Sequence, residues 1–245
     1  MQAANGQGAT PVLELRDVRA AYEKIEVLHG VDLLVPGGSL VAILGPNGAG
    51  KTTTLRVMSG LLRPTSGQLL LEGFDVTGAG AEQLADAGVC LIPEGRGIFP
   101  NLTVRENILM DTYAGKRRPA ELEDIVFTRF PPLAERREQV AGTLSGGEQQ
   151  MLSLSRALST DPALILLDEV SMGLAPLIVE SLFSIVRDLT SSSGVTVVIV
   201  EQFADVVLDF ADHVALMTTG KIRFSGPPSK ARGEIHETYL GKAKR

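Results

Sequence analysis

One stretch restricts this chain more than any other: Gly45-Pro46-Asn47-Gly48-Ala49-Gly50-Lys51-Thr52, which reads G-x-x-x-x-G-K-T. Its flanks give it meaning. Ser39-Leu40-Val41-Ala42-Ile43-Leu44 is a short apolar run with β-branched residues, suited in length to a buried strand. Beyond it, Thr53 to Ser59 sets Leu55 and Met58 three apart, as on one helix face, with Gly60 as a stop. Strand, glycine loop and helix together define a phosphate-binding loop. Glycines let backbone N–H groups crowd around a polyphosphate, and the helix N-terminus adds the positive end of its dipole. Gly45 to Gly50, with Thr53 just beyond, supply the cradle; Lys51 is placed to reach the β/γ-phosphates and the Thr52 hydroxyl to ligand Mg²⁺. A plain glycine-rich turn before a helix is the alternative, and the flanking strand and helix weigh against it. The pattern implies a bound nucleoside triphosphate.

At 245 residues the chain can bury a full core, as one domain or as one domain with an inserted lobe. A formal charge of −6 and the lack of a basic run argue against a nucleic-acid binder. No apolar stretch approaches the roughly 18 to 20 residues that span a bilayer. Nor does the N-terminus read as a secretory signal. Cys90 is the one cysteine, so no intramolecular disulfide is available and a reducing compartment is expected. On Gly88-Val89-Cys90-Leu91-Ile92 it reads as a small hydrophobe of a strand rather than a reactive thiol. His29, His213 and His236 lack ligand spacing, which argues against a histidine metal site.

Residues 1–10 are small and polar and read as a disordered tail, as does the basic end, residues 242–245. From Val12 to Val35 the pattern predicts short strands with turns, and Gln68 to Gly73 another strand. From about residue 96 to 158 the character changes. Val104 to Met110 and Glu121 to Phe127 carry apolar positions at helical spacing, and Pro131-Pro132 breaks between helices. This predicts a helical subdomain inserted in an α/β core spanning 11–241. The core resumes at Leu164 to Leu167, with a helix near Leu177 to Leu189 and a buried strand at Val195 to Val200. Val214 to Met217 reads as an edge strand. Near-continuous apolar runs alternating with helices indicate a parallel sheet covered on both faces.

Two further segments carry chemistry. Leu164 to Leu167 runs into Asp168-Glu169, a strand ending in paired carboxylates. Asp168 is placed to hold Mg²⁺ through its water shell, and Glu169 to polarise the water that attacks a γ-phosphate. Such pairs are common at strand ends and gain weight only beside the phosphate loop. In Leu144-Ser145-Gly146-Gly147-Glu148-Gln149-Gln150, Ser145 and Glu148 form a capping box opening a helix from Gln149 to Leu158. A well-capped helix is one reading. The two glycines in its first turn, which cost about 1 kcal/mol each, suggest another: an N-terminus stripped of side chains to receive an anion. With one triphosphate already wrapped by the first helix end, the second would meet the γ-phosphate held by another subunit, head to tail. ATP-dependent dimerisation follows.

With these motifs the chain resembles the ABC transporter ATPase family over nearly its whole length, the segment Leu144 to Gln149 being its specific signature. The resemblance implies a P-loop NTPase (RecA-like) fold: a mostly parallel sheet, an antiparallel β layer and an inserted α-helical subdomain. It implies ATP bound with Mg²⁺ between two nucleotide-binding domains, Ser145 and Gly147 completing the partner's site, and hydrolysis driving two integral-membrane permease subunits. Tyr22 fits the adenine-stacking aromatic, with core packing as the alternative. Within the family, Pro93 to Val104 and Asp168 to Pro176 are most similar to the F-type ATPase subunit of branched-chain amino acid importers, which accompanies a second ATPase. An extracytoplasmic solute-binding protein would then be an indirect partner. The implied location is the cytoplasmic face of the membrane, with the permease docking near Gly95 to Asn101. Urea-type importer ATPases are close relatives.

Departures bear on mechanism. Glu94 stands where most relatives have the Q-loop glutamine; it can approach Mg²⁺ but accepts hydrogen bonds without donating them. Gln202 replaces the switch histidine and can donate to a γ-phosphate oxygen without becoming cationic. Ala175 replaces the usual D-loop aspartate and Val170 a common proline. The F-type pattern shares all but Val170. Slow turnover alone, rising on assembly, is expected. Competing classes are an ABC ATPase acting on DNA or ribosomes, a regulatory subunit with negligible hydrolysis, and a P-loop kinase. The acidic, single compact chain disfavours the first, Glu169 the second and the signature helix the third.

Overall fold

The computed structural model describes residues 11–95, 97–110, 118–202 and 204–239. The chain opens with two strands, β1 (Pro11–Tyr22) and β2 (Ile25–Pro36), paired antiparallel through the turn Glu23-Lys24. They are long strands where the sequence pattern predicted short ones. Register shifts interrupt the pairing between Leu15 and Val18 and again between Ala20 and Ala21, and Asp17 takes a φ of 45°. Each bulge resets the two-residue alternation, so one twisted strand reads as several fragments.

Next come β3 (Leu40–Leu44), α1 (Lys51–Met58), β4 (Ser66–Leu71), β5 (Phe74–Asp75), α2 (Ala81–Asp86) and β6 (Val89–Ile92). Helices α3 (Val104–Leu109), α4 (Pro119–Arg129), α5 (Pro131–Ala134) and α6 (Gly146–Ser159) then intervene before β7 (Leu164–Asp168). The last part runs α7 (Pro176–Ser193), β8 (Thr196–Glu201), α8 (Ala204–Val207), β9 (His213–Thr218), β10 (Lys221–Gly226) and α9 (Pro228–Tyr239). The tails expected at 1–10 and 242–245 lie outside the described residues.

Strands β2-β1-β4-β5 form an antiparallel sheet, and β10-β9-β3-β8-β7-β6 a second sheet, parallel except at β10. Val214 to Met217 is therefore interior, not an edge. The outer position belongs to β10, whose Lys221-Ile222-Arg223-Phe224 alternates exposed and half-buried residues and offered too weak an apolar run to be read as a strand. Charges there suit an edge.

Two apolar layers sandwich the parallel sheet, and its strands divide between them residue by residue. Leu40, Ala42 and Leu44 join Ile165, Leu167, Val197 and Ile199 in the layer shared with α3 to α7. Val41 and Ile43 join Leu164, Leu166, Val198 and Val200 in the layer shared with the antiparallel sheet, α1 and α2. This is why the strands read as unbroken apolar runs: both pleat faces are buried, each large side chain contributing about 1.5–3 kcal/mol. Cys90 lies half-buried on β6, packed against the first layer.

Candidate nucleotide site

Every strand of the parallel run ends on the same side, so the loops after β3, β6, β7 and β8 converge. The register pairs Ile92 with Leu167, Asp168 with Val200, and Leu44 with Glu201. Gly45, Glu94, Glu169 and Gln202 thus each follow a strand end within one residue or two of a cross-strand partner. This is the carboxyl edge where open α/β sheets place ligands.

From β3 the chain turns through Gly45 to Gly50 into α1. Gly50 caps the helix at φ 107°, a left-handed conformation that glycine adopts without strain, and no side chain closes the helix end. The first-turn N–H groups of Lys51, Thr52 and Thr53 are left to a ligand. Ala49 is braced from behind: its carbonyl accepts the Gly220 N–H at 2.8 Å, from the turn joining β9 and β10. That brace has no mark in the sequence near the loop.

Lys51 is 4% exposed. Its ammonium donates to the carbonyls of Gly45 (2.9 Å) and Pro46 (3.4 Å) and pairs with Glu169 at 3.2 Å. Beside it the Thr52 hydroxyl donates to Asp168 Oδ1 at 3.0 Å. Burial pushes the Asp168 carboxyl above its usual range; the Thr52 bond and Lys51 oppose this, while Glu169 and Glu94 add to it. Both carboxylates thus meet residues of the loop, Glu169 at Lys51 and Asp168 at Thr52. Glu169 takes a φ of 46°, a conformation costing a non-glycine residue about 1 kcal/mol or more. Its N–H donates to Val200 O at 3.1 Å.

Glu94 is exposed beyond β6, and a cavity of about 620 Å³ opens there, with Glu94, Gln149, Gln150, Glu169 and Met172 in its walls. Gln202 is half-buried in the bend after β8. Tyr22 is 37% exposed, so it is no core residue; its hydroxyl accepts from Arg56 of α1 at 3.1 Å. Thr52 and Asp168 offer the hard oxygens that Mg²⁺ takes, alongside phosphate oxygens and water. Among the described residues no three His, Cys, Asp or Glu side chains form a metal cluster by themselves.

The signature helix is finished differently. Ser145 caps α6: its N–H and hydroxyl donate to Glu148 Oε2 at 2.8 and 2.7 Å, and Arg136 pairs with Glu148 Oε1 at 2.9 Å. Burial pushes the Glu148 carboxyl up, but the Ser145 bonds and Arg136 outweigh it and hold the group below its usual range. Gly147 has a packing reason that its sequence context did not disclose. A Cβ there would lie 2.3 Å from Ile178 Cγ2, so α6 and α7 approach over the missing side chain.

Sequence reasoning passed over Glu201 altogether. It ends β8 at 2% exposure, accepting the Ser171 N–H at 3.0 Å and the Ser171 hydroxyl at 2.7 Å. Burial raises its carboxyl to about 7 despite those two bonds. A carboxylate closing a run of buried β-branched residues was the available signal.

A phosphate loop after β3, paired carboxylates at the end of β7 and a capped glycine helix start define a P-loop ATPase. The comparisons narrow this. The ABC transporter family model matches residues 28–172, and the chain belongs to that family. It is 39% identical over 233 residues to the high-affinity branched-chain amino acid transport ATP-binding protein BraG of Pseudomonas aeruginosa, covering 94% of this chain and 100% of that one. The probable branched-chain amino acid transport ATP-binding protein LivF of Archaeoglobus fulgidus is 34% identical over 215 residues, 86% of this chain and 91% of that one. The sulfate/thiosulfate import ATP-binding protein CysA of Caulobacter vibrioides is also 34% identical, over 95% of this chain and 71% of its own length. The ADP conformation of MJ1267, an ATP-binding cassette of an ABC transporter, superposes with a TM-score of 0.84 at 27% identity, covering 95% and 99%. The chain is an ATPase of this family, with its fold.

Proposed function

We propose that the chain is the ATP-hydrolysing subunit of an importer for branched-chain or other hydrophobic amino acids. The observation that carries this is the match to BraG, 39% identical and covered over its whole length, against 34% and 36% for sulfate- and iron-importer subunits covered over 71% and 67% of theirs. The segments Pro93 to Val104 and Asp168 to Pro176 point the same way.

In this reading backbone N–H groups from Gly48 to Thr53 and the Lys51 ammonium bind the β/γ-phosphates of ATP, and Tyr22 stacks on the adenine. Thr52 and Asp168, with Glu94 nearby, would hold Mg²⁺, which would neutralise phosphate charge when bound. Glu169 accepts the proton of the attacking water, and Gln202 donates to a γ-phosphate oxygen. Ser145 and Gly147 complete the site of a second ATPase subunit, head to tail. Glu94 and Gln202 leave transition-state charge less well neutralised, so turnover is slow alone and rises on assembly. Among the described residues no helix is long and apolar enough to cross a membrane. Membrane association at the cytoplasmic face then comes from two permease subunits, docked near Gly95 to Asn101.

Deleting the gene in its source cell and measuring uptake of labelled leucine, isoleucine, valine, urea and sulfate tests the solute. Loss confined to the three amino acids is expected. Intact leucine uptake with lost urea uptake would replace this reading with the urea-type one.

A further inference from the structure

We propose that Glu201 is a positioning residue for hydrolysis: by clamping Ser171 it fixes the turn behind Glu169 to the strand end that carries Gln202. The inference rests on the roles given above to Glu169 and Gln202.

Ser171 lies two residues beyond Glu169, in a turn closed by Met172 N to Glu169 O (3.3 Å) and Leu174 N to Ser171 O (3.2 Å). Short bonds of this kind do not anchor a turn to the body of the protein. Two side chains do. From β8, Glu201 takes both Ser171 donors. From α6, the buried Gln150 amide donates to Val170 O at 3.0 Å. The turn is therefore held between the strand before Gln202 and the helix opened by Ser145, Gly146 and Gly147.

Burying a carboxylate at 2% exposure is costly, and an apolar residue would serve a strand end inside this core better. A carboxylate there makes sense where two donors must be held in one geometry. Glu169 has a reason to need that: a left-handed non-glycine backbone persists only where its surroundings over-determine it. The Val200 carbonyl holds its N–H from one side, and the clamped turn holds the chain just after it. With the clamp broken, Glu169 and Gln202 can no longer be set by one rigid body. Lys51 and Glu169 lie near enough to act on the Glu201 charge, but both of its side-chain hydrogen bonds go to Ser171 and none to the loop, so breaking them leaves the cradle of backbone N–H groups its own contacts.

The test uses three variants of the full chain. Glu201→Leu removes both bonds at similar volume. Ser171→Ala removes one of them and is the milder change if Glu201→Leu fails to fold. In Glu201→Gln the amide oxygen can accept the Ser171 N–H while its NH₂ donates to the hydroxyl. Phosphate release against ATP concentration and equilibrium binding of labelled ATP are measured for each. Misplacing a reacting group by about 1 Å costs up to about 100-fold, so kcat should fall about tenfold or more in Glu201→Leu and less in Ser171→Ala. ATP affinity should hold in both, and Glu201→Gln should restore kcat. Unchanged kcat in Ser171→Ala and Glu201→Leu overturns the proposal, as does a parallel loss of ATP binding in both. Glu169→Gln is the control: if it hydrolyses normally, the reading of the site fails and the clamp with it; if it is inactive while the clamp variants are normal, only the clamp fails.

Discussion

Helices α1 and α6 both begin at glycines, and they are finished in opposite ways. At α1 the cap is Gly50, no side chain closes the helix end, and Lys51 and Thr52 are met by Glu169 and Asp168. At α6 the cap is Ser145, its donors satisfied by Glu148, which Arg136 holds in turn. The first is a helix end left open beside the carboxylates of Asp168 and Glu169. The second is closed on itself, with Gly147 spent on the approach to Ile178. A glycine-rich helix start is thus not one device. What surrounds it decides whether it binds unaided or only when another surface displaces its cap.

The contrast can be broken at either helix. The larger effect belongs to α1. Lys51→Ala should lower phosphate release by about 100-fold or more, since it removes a cation from where transition-state charge develops. Retention of wild-type release would mean that the open end is not where hydrolysis occurs. At α6, Gly147→Ala sets a Cβ 2.3 Å from Ile178 Cγ2. Overpacking of this kind costs about 1–3 kcal/mol, visible as a lowered midpoint in urea, and pairing it with Ile178→Ala should restore much of that. An unaltered midpoint with impaired turnover would shift the role of Gly147 from packing to anion binding.

The phosphate loop was legible because its chemistry is local: eight consecutive residues between a strand and a helix carry it. The capping box at Ser145 was legible for the same reason. Paired carboxylates could be placed because Asp168 and Glu169 end an apolar run. What escaped was set by contacts distant in sequence. Gly220 braces Ala49, Gln150 holds Val170, and Glu201 holds Ser171 across 30 positions. None has a spacing that the chain itself displays. Gly147 shows a related limit: its anion-binding reading came from its place in the helix start, while the packing against Ile178, 31 positions away, was hidden from the sequence. Strand β10 escaped because an edge strand carries half the apolar pattern of an interior one, and β9 was misplaced as a consequence.

In the proposed function the loop from Gly45 to Thr52 is half of a site that another subunit completes. Sedimentation of the full-length Glu169→Gln variant tests it most directly, with and without saturating Mg-ATP. A monomer is expected without nucleotide and a dimer with it, lost again in Glu169→Gln carrying Ser145→Arg. A monomer at saturating Mg-ATP would contradict it.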